Sequence, residues 1–163
     1  MESKHHTFPA GKPDHPQVLA WPPLLFAAVV TAGWVAHRCD PIVLRPLLPA
    51  RGLAVAVALA AVALASWAGV AMRSAGTAIH PSHPTTAIVP AGPYRFTRNP
   101  MYLSLCLLAL APGLWSGGVW LLVAAPVLGC VLHWGVIRRE EVYLSAKFGG
   151  AYRAYQASVR RWI

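Results

Sequence analysis

The stretch MYLSLCLLALAPGLWSGGVWLLVAAPVLGCVLHWGVI, residues 101–137, decides the fold. It contains no Lys, Arg, Asp or Glu. A helix that crosses a bilayer needs about 20 apolar residues, so this run is too long for one span. PGLWSGG, residues 112–118, supplies a turn in its middle. The spacing predicts a hairpin of two spans, 101 to about 114 and 119–137, with Pro126 inside the second, a position that membrane helices tolerate.

Two more apolar runs lie upstream, at 18–36 and 53–72. Pro22 and Pro23 stand near the start of the first, where proline is best tolerated. In the second, Ala54, Ala58, Ala61, Ala65 and Ala68 alternate steps of four and three, a small-residue stripe that allows helices to approach closely. Composition agrees: 56% of the 163 residues are hydrophobic and 12% charged. A soluble domain carries about a quarter charged residues. The fold expected is an all-α integral membrane protein of about four transmembrane helices plus a C-terminal amphipathic helix. It forms a single domain over 18–163 behind a flexible polar lead, 1–17.

The chain carries a net charge of +9, but its basic residues flank the apolar runs. That placement is how membrane proteins fix their orientation, and it argues against a nucleic-acid partner. With four spans, eleven of the fourteen lysines and arginines share a side with both termini and the loop 73–100. Both termini are therefore expected in the cytoplasm, with the bacterial inner membrane as the location. Cys39, Cys106 and Cys130 show no CxxC spacing and read as small apolar residues. His80 and His83 lie in HPSHP, where proline prevents helical ligand spacing and no third ligand is near, so no metal site is expected. His133 is an ionisable group within a span, for which a hydrogen-bonded neutral ring is the plain expectation.

Acidic residues are scarce. Beyond Asp40 there are only Glu140 and Glu141, together at the cytoplasmic end of the last span. Glu141 can pair with Arg138 three residues back. Glu140 has Val136, Ile137, Tyr143 and Leu144 as helical neighbours, none basic, and so calls for some other cation. The loop GPYRFTRNPMYLS, residues 92–104, brings the complement. Arg95 and Arg98 suit an anion, Tyr94 and Tyr102 a planar ring, and the break at Asn99-Pro100 exposes backbone groups. Arg on lipid phosphate and Tyr in an interfacial belt is the simpler reading of that loop. Taken together, the two segments suit a zwitterion. Past Gly149 and Gly150, Tyr152, Tyr155, Val159 and Trp162 share one helical face, suited either to the membrane surface or to packing back on the protein.

PTTAIVPAGPYRFTRNPMYLS and RREEVYLSAKFGGAYRAYQASVRRW resemble the two ordered motifs of the isoprenylcysteine carboxyl methyltransferase and phospholipid methyltransferase superfamily. The likeness covers 76–162. Arg98-Asn99-Pro100-Met101-Tyr102 resembles its Arg-His-Pro-x-Tyr motif, and Glu140-Glu141 its glutamate pair. Gly76-Thr77 resembles the glycine motif of the phospholipid branch. Asn99 departs from the histidine of the eukaryotic form, Ser104 from a usual glycine and Gly150 from a common acidic residue.

The resemblance implies an S-adenosylmethionine-dependent methyltransferase acting on a lipophilic acceptor. It implies Tyr94, Arg98, Asn99, Pro100, Tyr102, Glu140 and Glu141 as cofactor-binding residues, with Arg98 and Glu141 as catalytic candidates. The alternatives are an NADPH-dependent membrane reductase of related helical design and a non-catalytic membrane scaffold or partner protein. The sequence sets neither the acceptor nor the oligomeric state.

Overall fold

A computed structural model describes residues 14–44, 50–77 and 83–163. Those residues are helical, and their only β-pairing is an isolated bridge between Val43 and Gly118. The helices are α1 (Pro22–Cys39), α2 (Ala50–Ser74), α3 (Pro100–Ser116), α4 (Val119–Leu132), α5 (Arg138–Phe148) and α6 (Gly150–Ser158). A π turn, His133–Ile137, joins α4 to α5.

Helix α1 starts on its prolines, four residues later than the apolar run. Proline's fixed φ suits a first turn, and Trp21 ahead of it is extended. In α2, Ala54, Ala61 and Ala68 are nearly fully buried, whereas Leu53, Val55, Leu59 and Val62 are exposed. The small stripe is thus the packed face, and α2 meets α3 more extensively than any other helix. The larger side chains point outward, as a lipid environment permits.

The hairpin forms where expected but turns later. Pro112 stays inside α3, and the Ser116 hydroxyl donates to its carbonyl at 2.9 Å. The reversal falls on Gly117, left-handed at φ 69°, whose N–H donates to Gly113 O. Glycine adopts that conformation without a Cβ penalty, which makes it the natural helix terminator. Leu44 N–H to Gly117 O and Val119 N–H to Ile42 O then pin residues 42–44 across the turn.

Leu128, Leu132, Val136 and Ile137 are completely buried and form the spine of the core. Leu25, Phe26 and Val29 of α1 pack against it, together with Leu105 and Leu110 of α3. Two helices are long and apolar enough to cross a membrane, Arg51–Ser74 and Val119–Phe148. Helix α3 is apolar but shorter. The 30 residues of Val119–Phe148 extend for about 45 Å, against about 30 Å of bilayer hydrocarbon. One end of this helix therefore projects, and α5 is the polar end. Gly149, at φ 53°, then bends the chain into α6.

Gly113 is where the hairpin is tightest. A Cβ there would stand 2.7 Å from Leu122 N and 2.9 Å from Leu121 C, both backbone atoms that cannot move aside. Gly113→Ala is expected to cost about 1–3 kcal/mol, the range for overpacking, read as a lower melting temperature in detergent. Gly129→Ala, whose nearest neighbour is Cys106 Sγ at 3.8 Å, should leave melting unchanged or raised.

Candidate functional site

Three segments far apart in sequence meet at the projecting end of the long helix. The first is the loop that follows α2. It turns at Gly76, φ 64°, and is held by Thr86, whose N–H donates to Thr77 Oγ1 and whose hydroxyl donates to Gly76 O. It passes through a short 3-10 turn, Gly92–Arg95, pressed against α2: a Cβ on Gly92 would lie 3.1 Å from Trp67 Nε1. The second is α5. The third is the tail beyond α6, whose backbone is stitched to the loop. Arg98 N–H donates to Arg160 O at 2.9 Å, and both Thr97 Oγ1 and Asn99 Nδ2 donate to Arg161 O. Asn99 thus uses its amide nitrogen to hold the tail while remaining in the wall of the cleft described below.

Glu141 ties all three together. Arg161 grips it side-on, Nε to Oε1 at 2.9 Å and Nη2 to Oε2 at 2.7 Å, and Arg98 Nη2 reaches Oε1 at 3.2 Å. The local pairing with Arg138 is not the one formed; two distant arginines take its place. Both carboxylate oxygens are engaged, so Glu141 ties the loop and the tail to α5 while remaining in the cleft lining. Its side chain is 11% exposed and that of Arg98 10%. Arg98 Nε and Nη1 are buried and have no hydrogen-bond partner among the described residues. Buried donors without partners are costly and rare, and these two belong to a side chain that lines an open cleft.

That cleft has a cavity volume of about 130 Å³. Pro100, Tyr94, Tyr102, Tyr152 and Tyr155 contribute to its wall. Glu140 faces it and accepts a 2.6 Å hydrogen bond from the Tyr102 hydroxyl. Among the described residues, no basic side chain pairs with Glu140. Burial pushes the Tyr94 phenol well above its ordinary range and Tyr155 up to about 12. Both stay neutral at working pH, and Tyr155 spends its proton on Tyr94 O at 2.7 Å. The aromatic face of α6 therefore packs back on the loop, with Tyr152 buried. One cleft is accordingly lined by a guanidinium, a carboxylate without a basic partner among the described residues and several aromatic rings, a set that suits a zwitterion with a flat apolar part.

Arg95, the other expected anion binder, is exposed and lies over the Phe96 ring. His80 lies outside the described residues. No group of His, Cys, Asp and Glu among the described residues is placed to hold a metal. His133 takes a long 3.4 Å hydrogen bond from Trp162 Nε1 at its Nδ1, which makes Nδ1 the acceptor. Arg161 and the residues before α1 were missed by sequence reasoning. Arg161 left one sequence trace, the shortage of carboxylates for so many arginines.

The family model described as phospholipid methyltransferase matches residues 50–151. That segment contains the loop, the hairpin and both glutamates. An uncharacterised protein of Haemophilus influenzae (strain ATCC 51907 / DSM 11121 / KW20 / Rd) is 49% identical over 65 residues, covering 39% of this chain and all of that protein. No solved structure matches the chain.

Removing the Glu141 charge leaves Arg98 buried without its carboxylate. Glu141→Gln is expected to cost about 3 kcal/mol, the lower end for breaking a buried pair, since the amide still accepts hydrogen bonds. Arg161→Met should cost less, because that guanidinium is 38% exposed and screened by water. Detergent unfolding curves and protease cleavage of the released tail would show that order.

Proposed function

The chain belongs to the phospholipid methyltransferase family, and on that premise we propose that it transfers a methyl group from S-adenosylmethionine to a lipophilic acceptor at the cytoplasmic face of the membrane. In this reading α1 and α3 span the bilayer with the two long helices, both termini lie in the cytoplasm, and the membrane is a bacterial inner membrane. The single observation that carries the reading is a pair of opposite groups on the wall of one cleft: Arg98, two of whose buried nitrogens have no hydrogen-bond partner among the described residues, and Glu140, which no basic side chain among those residues pairs.

The residues fit this cofactor. Arg98 is the group for its carboxylate, through Nε and Nη1, and Glu140 the group for its ammonium. Tyr94 and Tyr155 offer ring faces for the adenine, with Asn99, Pro100 and Tyr102 completing the wall. Glu141 acts through Arg98, fixing the guanidinium so that its remaining donors point one way. The cofactor supplies a methyl group on a cationic sulfur, open to direct displacement. The protein's share is alignment of the acceptor at about 3 Å and exclusion of water. The acceptor proposed has an apolar chain and a polar nucleophile, the class that includes isoprenylcysteine carboxylates and phospholipid amines. It enters sideways between helices and presents its head at the cytoplasmic end.

Purified protein titrated with S-adenosylhomocysteine is expected to bind it, and a well-folded protein that does not would sink the cofactor assignment. Glu140→Gln should weaken binding by about 1.5–3 kcal/mol, the scale of a hydrogen bond to a charged group. That is a loss of about ten- to a hundredfold in affinity; an unchanged affinity would remove Glu140 from the site. Incubation with a labelled methyl donor and a total lipid extract should place the label in an organic-soluble product.

A further inference from the structure

Helix α5 and the turn before it carry a second row of groups that the cleft chemistry does not use. Gly135, Arg139, Tyr143 and Lys147 follow one another at four-residue steps, the spacing that stacks positions along one helical face. All four hold the segment that precedes α1. Leu19 N–H donates to Gly135 O at 2.9 Å, and Arg139 Nη1 donates to Gln17 O at 3.1 Å. The Tyr143 hydroxyl lies 3.0 Å from Asp14 Oδ1 and 3.1 Å from Asp14 O. Lys147 Nζ reaches Asp14 Oδ1 at 2.6 Å. Gly135 also makes room for the segment: a Cβ there would stand 3.3 Å from Leu19 Cβ.

Between these bonds lies Pro16, buried and part of the cleft wall. Tyr143 serves both lips of the cleft. Its oxygen accepts from Thr85 N–H, on the loop, and from Lys147 Nζ, while its proton goes to Asp14. The bonds to Asp14 and Gln17 are reached by solvent, since Asp14, Gln17 and Arg139 are exposed. Such a segment opens locally at far lower cost than the buried core.

We infer that residues 14–19 form a strap, buckled by Tyr143, that closes the cleft over its ligand and must lift for the ligand to exchange. The inference rests on the cofactor reading above for the identity of that ligand, and on the geometry alone for the closure.

The full chain in detergent, with Cys39, Cys106 and Cys130 replaced by alanine, allows two tests. In the first, Asp14→Cys and Lys147→Cys are bridged by a reducible bis-thiosulfonate about as long as the pair it replaces. Bridging is expected to slow release of pre-bound S-adenosylhomocysteine about tenfold or more, with reductant restoring it. Equal release rates with and without the bridge overturn the strap. The second test needs no cofactor. Alkylation of Ala87→Cys in the cleft wall is expected to quicken about threefold or more in Tyr143→Phe and in Lys147→Met, as local opening becomes easier. No change in either variant overturns the strap. If the intact protein binds no S-adenosylhomocysteine yet alkylation still responds, the cofactor reading falls and the strap stands.

Discussion

One buried carboxylate organises the polar end of this protein. Glu141 is shared by Arg98 of the loop and Arg161 of the tail, with distances of 2.7 to 3.2 Å. A charge away from water is tolerated only when it is paired and hydrogen-bonded, and here both oxygens are. The geometry leaves little freedom: the loop, the long helix and the tail must all be in place to satisfy it. The backbone bonds from Thr97, Arg98 and Asn99 to the tail carbonyls follow the same seam. The cleft exists because these three segments are held at its edges.

Two adjacent glutamates divide the work. Successive residues on a helix point about 100° apart, so a helix that turns Glu141 into the ion cluster turns Glu140 toward the cleft. The π turn His133–Ile137 sets this phase. It adds roughly one residue to a turn, which rotates all of α5 relative to the buried face of α4. The core spine thus stays packed through Ile137, while the next turn presents one carboxylate to the arginines and another to the cleft. The same rotation directs Arg139, Tyr143 and Lys147 at the segment before α1. Membership of the phospholipid methyltransferase family gives these contacts a context, a polar cleft kept beside an apolar, outward-facing surface.

Much of the architecture was legible in the sequence. The apolar run 101–137 with its glycine-rich break gave the hairpin, and the alanine spacing in α2 gave the packed face. The glutamate pair drew attention by scarcity, and Glu140 by its lack of local cations. Legibility stopped where local and distant partners competed. Glu141 has Arg138 three residues away, yet it is bound by arginines 43 residues before it and 20 after it. Within the expected turn, 112–118, the helix runs past Pro112 and ends at Gly117, where the positive φ closes it. The π turn left no pattern to read, since HWGVI carries neither a proline nor a charged Lys, Arg, Asp or Glu to mark it.

By itself the sequence determined the inventory and its rough placement: apolar helices, a polar loop, a basic tail and two carboxylates at one end. Hydropathy and chain connectivity suffice for that, because both act over short distances along the chain. Only the tertiary structure decided which glutamate would be spent on the ion cluster and which would face the cleft without a basic partner among the described residues. That choice depends on helical phase and on partners brought from both sides of the hairpin. A difference of one residue in phase exchanges the two roles, and no local pattern in the sequence records it.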